Sequence, residues 1–407
     1  MTGGYDAIVV GARCGGSPTA MLLARNGYRV LLVDKATFPS DTMSTHLCHP
    51  PAVAALARWG LLDKLKATGC PPITRYSFDF GPVRIAGTPR PANGAAQAYG
   101  PRRIVLDALL VEAAVAAGAE LREAFTVEEV VVDDGRVTGI RGHAKGGATV
   151  TERARVAVGA DGRHSLVAKA VRPDRYTEVR SLSPVYYAYW SGLPAEGFET
   201  YIRAEDGRGW AVIPTHEDLT CVVQGWPQSQ FAANRKDLER TYMNSFELAP
   251  GFAERINQAK RETRFVGTGD LPGFFLKPYG PGWALVGDAG YHKHPITAFG
   301  ITDAFRDAEA LASALDDTFA ERRPYDDVMA DYQRARDDDA LPVYEFTREF
   351  AKIEPPPPEM QQLMGAMQGN QDAMDDFVSV MAGTLPAPDF FGPENTARIM
   401  AQAAAPR

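Results

Sequence analysis

Apolar and polar positions at the start of the chain fall in blocks that predict a strand, a helix and a second strand. Ala7 to Val10 form an unbroken apolar run, the pattern of a parallel strand that is covered on both faces. Residues 28–33 predict a second strand, which ends at Asp34. The turn before the helix contains three glycines, Gly11, Gly15 and Gly16. This order is typical of a nucleotide-binding βαβ unit.

The glycine turn can place backbone amides against a ligand, because glycine has no Cβ to keep a ligand away. The free amides at the start of the following helix favour a pyrophosphate, and Asp34 can accept hydrogen bonds from a ribose. Arg13 stands where the G-x-G-x-x-G pattern has its second glycine. Because the strands, helix and Asp34 keep their register, we interpret the stretch as a nucleotide site. Arg13 then either adds positive charge beside the phosphates or points to solvent.

Two further buried runs end in a turn of glycine and acid. Residues 155–158 predict a strand before Gly-Ala-Asp-Gly-Arg, and residues 283–286 predict another before Gly-Asp-Ala-Gly. The carboxylates and neighbouring glycines of these turns are Asp161, Gly162, Gly287 and Asp288. One extended ligand contacted at three turns explains the pattern better than three separate nucleotides.

A different pattern between these turns predicts a second sheet. Apolar and polar residues alternate over 76–80, and four aromatic-rich strands follow between residues 184 and 226. Residues 52–66 predict one helix, residues 262–267 predict a return strand, and the chain after Pro324 is mainly helical.

Composition narrows the class of protein. The chain has 407 residues, 45% of them hydrophobic and 23% charged, which is ordinary for a soluble protein of two or three domains. The net charge of −8, without a basic block, argues against nucleic acid or an anionic membrane as partner. No apolar run reaches the length of a membrane span and the first residues lack the charged start of a signal peptide, so we expect a cytoplasmic protein without stable membrane insertion.

Cysteine and histidine spacing does not predict a metal centre. The four cysteines lie far apart without a C-x-x-C pair, so free thiols are expected. The pairs His46/His49 and His292/His294 lack a carboxylate set at ligand spacing. We therefore predict no metal site.

The stretches GADGRHS and WALVGDAGYHKHPITAFGITDAFRDAEALA carry a family resemblance when they follow the first glycine turn in this order. The chain resembles the flavin-dependent aromatic hydroxylase superfamily, which has the fold of para-hydroxybenzoate hydroxylase, and especially its geranylgeranyl-reductase-like branch. The resemblance extends to about residue 345. It implies an α/β fold with a Rossmann-like FAD-binding domain, an inserted, mainly antiparallel β-sheet substrate domain and a helical C-terminal region.

The resemblance also implies domain limits and a cofactor site. The FAD-binding domain would comprise 1–72, 101–175 and 277–345, the substrate domain 73–100 and 176–276, and the C-terminal helical region 346–407. Asp161 and Gly162 would serve both FAD and a visiting NAD(P)H. The cofactor-binding residues would be Gly11, Arg13, Gly15, Gly16, Asp34, Lys35, Arg103, Asp161, Gly162, Gly287, Asp288, Pro295, Gly300 and Ile301. Ala298, Tyr291 and Thr302 stand where the family usually has glycine, histidine and asparagine.

The implied activity is monooxygenation. In the resembled hydroxylases NAD(P)H reduces FAD, oxygen forms a flavin C4a-hydroperoxide, and one oxygen atom passes to the substrate. The substrate expected here is an aromatic or polycyclic small molecule, which is hydroxylated or epoxidised. Strand alternation puts Tyr187 and Tyr189 on one face as candidate pocket residues, although sheet packing explains them equally well. His46 is the candidate for proton transfer, with a helix-capping or surface role as the alternative.

Three other functions stay open. A double-bond reductase of the geranylgeranyl-reductase type is the main alternative, because Cys48 lies where those enzymes carry a cysteine, although their adjacent glycines are missing. A flavin-dependent halogenase fits less well, because WAVIP at 210–214 lacks the paired tryptophans of that family. A flavin-binding protein without catalysis is the third. The sequence assigns no oligomeric state.

Overall fold

An eight-stranded sheet around Tyr5–Val10 organises the first part of the fold in the computed structural model, which describes residues 4–404. Its parallel strands lie in the order Trp283–Leu285, Val150–Gly159, Tyr5–Val10, Val30–Val33 and Glu120–Arg122. The antiparallel strands Tyr279–Gly280, Arg136–Ala144 and Phe125–Asp133 complete it. Val10 pairs with both Gly159 and Val33, and Gly159 with Leu285. This register brings the three predicted glycine turns to one edge of the sheet.

The two faces of this sheet are covered by different layers. Ala7 and Val9 face a layer of helices, whereas Ile8 and Val10 face a cluster that contains the antiparallel strands. The helices of the first part of the fold are Gly16–Arg25, Pro50–Arg58, Leu62–Ala67, Arg103–Ala116, Leu166–Val171 and Gly300–Phe319. The near-continuous apolar run of the first strand therefore reflects burial on both sides.

The first glycine turn is held by contacts that leave no room for a side chain. A Cβ at Gly16 would overlap the Gly11 carbonyl oxygen, and one at Gly11 would lie 2.5 Å from the Ala160 carbonyl oxygen. Gly11 also has φ +103°, which L residues rarely adopt. The first and last glycines of the pattern therefore serve chain packing, and they join the first turn to the second.

A second eight-stranded sheet forms the other half. Its strands lie in the order Lys260–Arg261, Val185–Ser191, Thr220–Gly225, Arg208–Pro214, Phe198–Arg203, Tyr76–Asp79 and Arg84–Gly87, with Val266–Thr268 also paired to Val185–Ser191. All neighbours are antiparallel except Phe198–Arg203 and Tyr76–Asp79. A three-stranded sheet contains Arg175–Val179, Gly273–Leu276 and Tyr291–His292. A two-stranded sheet contains Pro72–Ile73 and Ala98–Tyr99. The predicted α/β fold class with an inserted, mainly antiparallel sheet is confirmed.

The faces of the second sheet follow the predicted alternation. Ala188 and Trp190 pack under a helical layer, and Tyr187 and Tyr189 belong to a cluster on the opposite face. The helices that pack on Ala188 and Trp190 are Leu238–Phe246 and Pro250–Gln258, and the short helix Phe231–Asn234 precedes them.

The C-terminal helices cover the tyrosine face of the second sheet. Phe377 and Met364 share a cluster with Tyr187 and Tyr189. The helices are Tyr325–Phe350, Pro358–Ala366, Gln371–Met381, Ala387–Phe391 and Pro393–Ala404. The first of them crosses the predicted boundary at residue 345, and the predicted limits at residues 1 and 407 lie outside the described residues. Among residues 4–404, no helix is both long and apolar enough for a membrane span.

Two predicted elements differ from the structure. The single helix expected over 52–66 is two helices, because Gly60 adopts φ +73° and breaks the helix between them. The return strand expected over 262–267 is shorter and divided, with pairing over Lys260–Arg261 and Val266–Thr268. In both places the hydrophobic pattern continues along the sequence although the backbone leaves the regular helix or strand conformation.

The glycine contacts predict a clear contrast between neighbouring substitutions. Gly16→Ala should lower the free energy of unfolding by about 3 kcal/mol, because the new methyl group overlaps the Gly11 carbonyl. Gly15→Ala is the matched control, since its Cβ would lie 3.5 Å from the Val286 side chain. It should change the unfolding free energy by less than about 0.5 kcal/mol. Urea titrations of the two apoproteins test this, and equal midpoints would contradict it.

Candidate functional site

A cavity of about 760 Å³ opens at the sheet edge where the three turns meet. The predicted cofactor residues on its wall are Gly11, Arg13, Gly15, Asp34, Lys35, Arg103, Asp161, Gly162, Gly287, Asp288, Pro295, Gly300 and Ile301. Gly16 lies behind the wall, as its packing role requires. Tyr187 lines the cavity, whereas His46 and Tyr189 do not.

Asp34 closes the first turn. Its carboxylate accepts hydrogen bonds from the backbone amides of Ala12, at 2.7 Å, and Ala36, at 2.8 Å. These bonds fix the carboxylate at the end of the second strand, on the cavity wall. A carboxylate held there can accept further hydrogen bonds from a ribose.

Arg13 does not point to solvent. Its guanidinium donates to Asp107 Oδ2 at 2.5 Å and to Ser40 Oγ at 3.1 Å, and it lies over the Phe38 ring. Arg103 binds the same carboxylate through two nitrogens, at 2.9 and 3.0 Å. Asp107 is thus shared by two arginines, both of which line the cavity. Together the three side chains carry one net positive charge, which suits a pyrophosphate.

The second turn carries a carboxylate with a free oxygen. Asp161 Oδ2 accepts a hydrogen bond from the Leu166 amide at 2.6 Å, whereas Oδ1 is buried without a partner among the described residues. Burial raises the pKa of Asp161 above its ordinary value. An unpaired buried oxygen on a cavity wall indicates a ligand group that completes the site.

The third turn places an exposed carboxylate and a helix start on the same wall. Asp288 follows Gly287 in a short 3-10 helix, and its side chain is open to the cavity. Gly300 and Ile301 begin the 20-residue helix Gly300–Phe319 and also line the cavity. The free amides of that first turn favour electronegative ligand atoms.

A second, smaller cavity of about 50 Å³ lies beside the first. Thr45, Val185, His294 and Pro295 line both cavities. The small cavity lies against the tyrosine face of the second sheet and is mainly apolar. Thr200 lines it, and the Thr200 hydroxyl is buried without a hydrogen-bond partner in the described part of the chain.

His46 and Tyr189 form a buried pair just behind the cofactor cavity. His46 Nε2 lies 2.6 Å from the Tyr189 hydroxyl, and the His46 backbone has φ +62°. Burial, with the guanidinium groups of Arg103 and Arg102 nearby, lowers the pKa of His46 to about 3. His46 is therefore neutral at neutral pH, and the expected surface or capping role does not describe it.

Lys293 is a cavity residue that sequence reasoning missed. Its ammonium forms an ion pair with Asp303, and both side chains are buried. Burial lowers the pKa of Lys293, although Asp303 opposes this shift. The only local signal was a lysine placed between two histidines before Pro295, which does not distinguish a buried lysine from an exposed one.

His49, His294 and the cysteines are buried in the core. His49 Nε2 donates to the Thr297 carbonyl oxygen, and its Nδ1 accepts from the Tyr76 hydroxyl. His294 contacts Ser183 through Nε2 and accepts from the Ile296 amide at Nδ1. All four cysteines are free and buried. Over residues 4–404, no group of three or more histidine, cysteine or acidic residues is placed to hold a metal.

The cavity fits a dinucleotide, and FAD in particular. Residues of all three turns line it, and it offers Asp34 for a ribose and two arginines for phosphates. The unpaired Asp161 oxygen and the exposed Asp288 remain for further hydroxyl groups. These features define a Rossmann-type flavin site.

Comparison with known proteins identifies the family. The FAD binding domain family matches residues 4–347, so the chain belongs to it. The expectation of an FAD-dependent oxidoreductase is confirmed.

Individual relatives are distant. Phenazine 1,6-dicarboxylic acid hydroxylase PhzS of Lysobacter antibioticus is 26% identical over 91% of this chain and 97% of its own length. Digeranylgeranylglycerophospholipid reductase of Methanocella arvoryzae is 26% identical over 74% of each chain. The structure of the flavin-dependent brominase Bmp2 superposes with a TM-score of 0.82, at 18% identity over 98% of both chains. The last similarity shows the fold alone.

Buried histidines predict acid sensitivity. The pKa values of His46, His49 and His294 fall from 6.5 to about 3, 4 and 4 because of burial. Below pH 6.5 these histidines become protonated in the unfolded chain but stay neutral in the folded chain. The free energy of unfolding should therefore fall from pH 6.5 to pH 4. Each histidine contributes up to about 1.4 kcal/mol per pH unit. Urea unfolding at several pH values measures this slope. His49→Gln should reduce it by up to about 1.4 kcal/mol per pH unit, and an unchanged slope would contradict the assignment.

Proposed function

We propose that the protein is an FAD-dependent monooxygenase that uses NAD(P)H and oxygen to hydroxylate or epoxidise an aromatic small molecule. The observation that carries this proposal is the small apolar cavity that shares four wall residues with the cofactor cavity. A substrate in it would lie next to the Pro295 end of the cofactor site. The PhzS relative, named as a hydroxylase of a phenazine, supports the same class.

The chain's own residues would position the reactants and exclude water. FAD, when bound, supplies the redox chemistry and the activation of oxygen. Asp34, Arg13 and Arg103 would hold its adenosine diphosphate part, and Asp161 and Asp288 would bind hydroxyl groups. Tyr187 presents its ring to the cofactor cavity, while His46 and Tyr189 would keep that wall in place as positioning residues. The apolar lining of the small cavity keeps water away from the reacting atoms.

Cys48 argues against the reductase alternative. Its side chain is fully buried, its backbone pairs with Tyr99, and burial raises the pKa of its thiol. Cys48 is also absent from the walls of both cavities. A thiol in this position has no access to a cofactor or to an alkene substrate. The small cavity, at about 50 Å³, is also too small for a long isoprenoid chain.

Asp288 offers a direct test of the cofactor assignment. Asp288→Ala should weaken FAD binding about tenfold or more, because one charge-assisted hydrogen bond to the cofactor is lost. The control is Asp338→Ala, which removes an exposed carboxylate on the helix Tyr325–Phe350. Titration of apoprotein with FAD, followed by flavin fluorescence, gives the dissociation constants. Equal constants for the two variants would remove the role assigned to Asp288.

The reaction type is tested with the reduced holoenzyme. We expect NADH or NADPH to bleach the flavin, and rapid mixing with oxygen and a phenol to yield a hydroxylated product that incorporates ¹⁸O from labelled oxygen. Product analysis by mass spectrometry measures the incorporation. Anaerobic turnover of an alkene, without ¹⁸O incorporation under air, would instead support the reductase.

A further inference from the structure

The small cavity is far below the usual size of a ligand site. Its volume of about 50 Å³ holds roughly three or four water molecules, whereas sites for drug-sized ligands measure about 300–1,000 Å³. Gly209 and Gly225 pair on neighbouring strands at one wall of the cavity. Because glycine has no side chain, the sheet itself leaves free space at this wall. Something other than the sheet therefore limits the space.

The Ile353 side chain occupies the space beside these two glycines. It follows the helix Tyr325–Phe350, lines the cavity and is only 4% exposed. A Cβ at Gly225 would lie 3.7 Å from Ile353 Cδ1, and a Cβ at Gly209 would lie 3.9 Å from it. The isoleucine thus fills the space that the two glycines leave.

The backbone at Ile353 is strained. It has φ +54°, in a region that a β-branched residue rarely adopts. Strain of this kind persists where the surroundings impose it and is concentrated at ligand sites. The Ile353 amide donates to the Phe350 carbonyl at 3.2 Å, and the next helix begins only at Pro358. Ile353 is therefore presented by a single turn outside any helix.

We propose that Ile353 determines substrate specificity by limiting the substrate to a single aromatic ring, which would occupy the small cavity and extend past Val185 and Pro295 into the adjoining cofactor cavity. This inference rests on the proposed function, because it takes the small cavity as the substrate site. The Thr200 hydroxyl and the Gln224 side-chain amide line the cavity and have no hydrogen-bond partner among residues 4–404, so either is available to a hydroxyl on such a ring. Larger ring systems are rejected because they meet the isoleucine side chain.

The test uses three phenolic probes of increasing size, namely phenol, 1-naphthol and 1-hydroxyphenazine. Each is titrated into FAD-loaded, oxidised protein, and the change in flavin absorbance gives a dissociation constant without turnover. Ile353→Gly removes the side chain and accepts φ +54° without strain. It should bind 1-naphthol at least about tenfold more tightly than the wild type, while the affinity for phenol changes less than about threefold. Ile353→Ala provides a second variant with the same expected order.

Two controls separate cavity size from general loosening. Ile256→Ala shortens a buried side chain of the helix Pro250–Gln258, which packs on the opposite face of the same sheet. This change should leave the order of the three affinities unchanged. Gly209→Ala adds a methyl group at ordinary contact distance from Ile353, and it should weaken phenol binding about fivefold by reducing the space.

Some results would overturn the inference. One is a wild-type affinity for 1-hydroxyphenazine equal to that of Ile353→Gly. A second is a gain in 1-naphthol affinity for Ile256→Ala as large as that for Ile353→Gly. A third is the absence of any flavin absorbance change when the probes are added to Ile353→Gly. Failure of the proposed function would instead appear as NAD(P)H oxidation without a hydroxylated product, whatever the ring-size dependence of binding.

Discussion

The contact between backbone atoms at Gly11, Gly16 and Ala160 is the constraint on which the rest of the site depends. It brings the turn after the first strand against the turn after Val150–Gly159, at a distance that only a hydrogen atom in place of Cβ permits. Parallel pairing with Trp283–Leu285 then adds the third turn at the same edge. The cofactor cavity is the space that these fixed turns enclose.

Electrostatics in the cavity follows from one shared carboxylate. Asp107 is fully buried, and Arg13 and Arg103 reach it from different elements. The carboxylate holds both guanidinium groups on the wall and leaves an excess of one positive charge there. Arg13 also binds the irregular segment at Phe38 and Ser40. The residue that breaks the glycine pattern thus contributes a cation and ties a loop to the site.

Much of the cofactor site could be predicted from the sequence, because its parts are local. A β-branched run, a glycine turn and a terminal acid are fixed by neighbours in the chain, as for Asp34, Asp161 and Asp288. The features that were missed depend on residues far apart. His46 is buried because Tyr189 and two arginines surround it, Lys293 because Asp303 meets it, and Ile353 because two strands present glycines beneath it. Such contacts leave no periodic signal.

The order of the strands also has a consequence for synthesis. The central strands Tyr5–Val10, Val150–Gly159 and Trp283–Leu285 come from three distant parts of the chain. A nascent chain therefore leaves Val150–Gly159 without its outer neighbour, Trp283–Leu285, until residue 285 of the 407 has been made. The C-terminal helices, which cover the tyrosine face, leave the ribosome last. The N-terminal half therefore has an incomplete cofactor site and exposed apolar strands until the last segments have been synthesised.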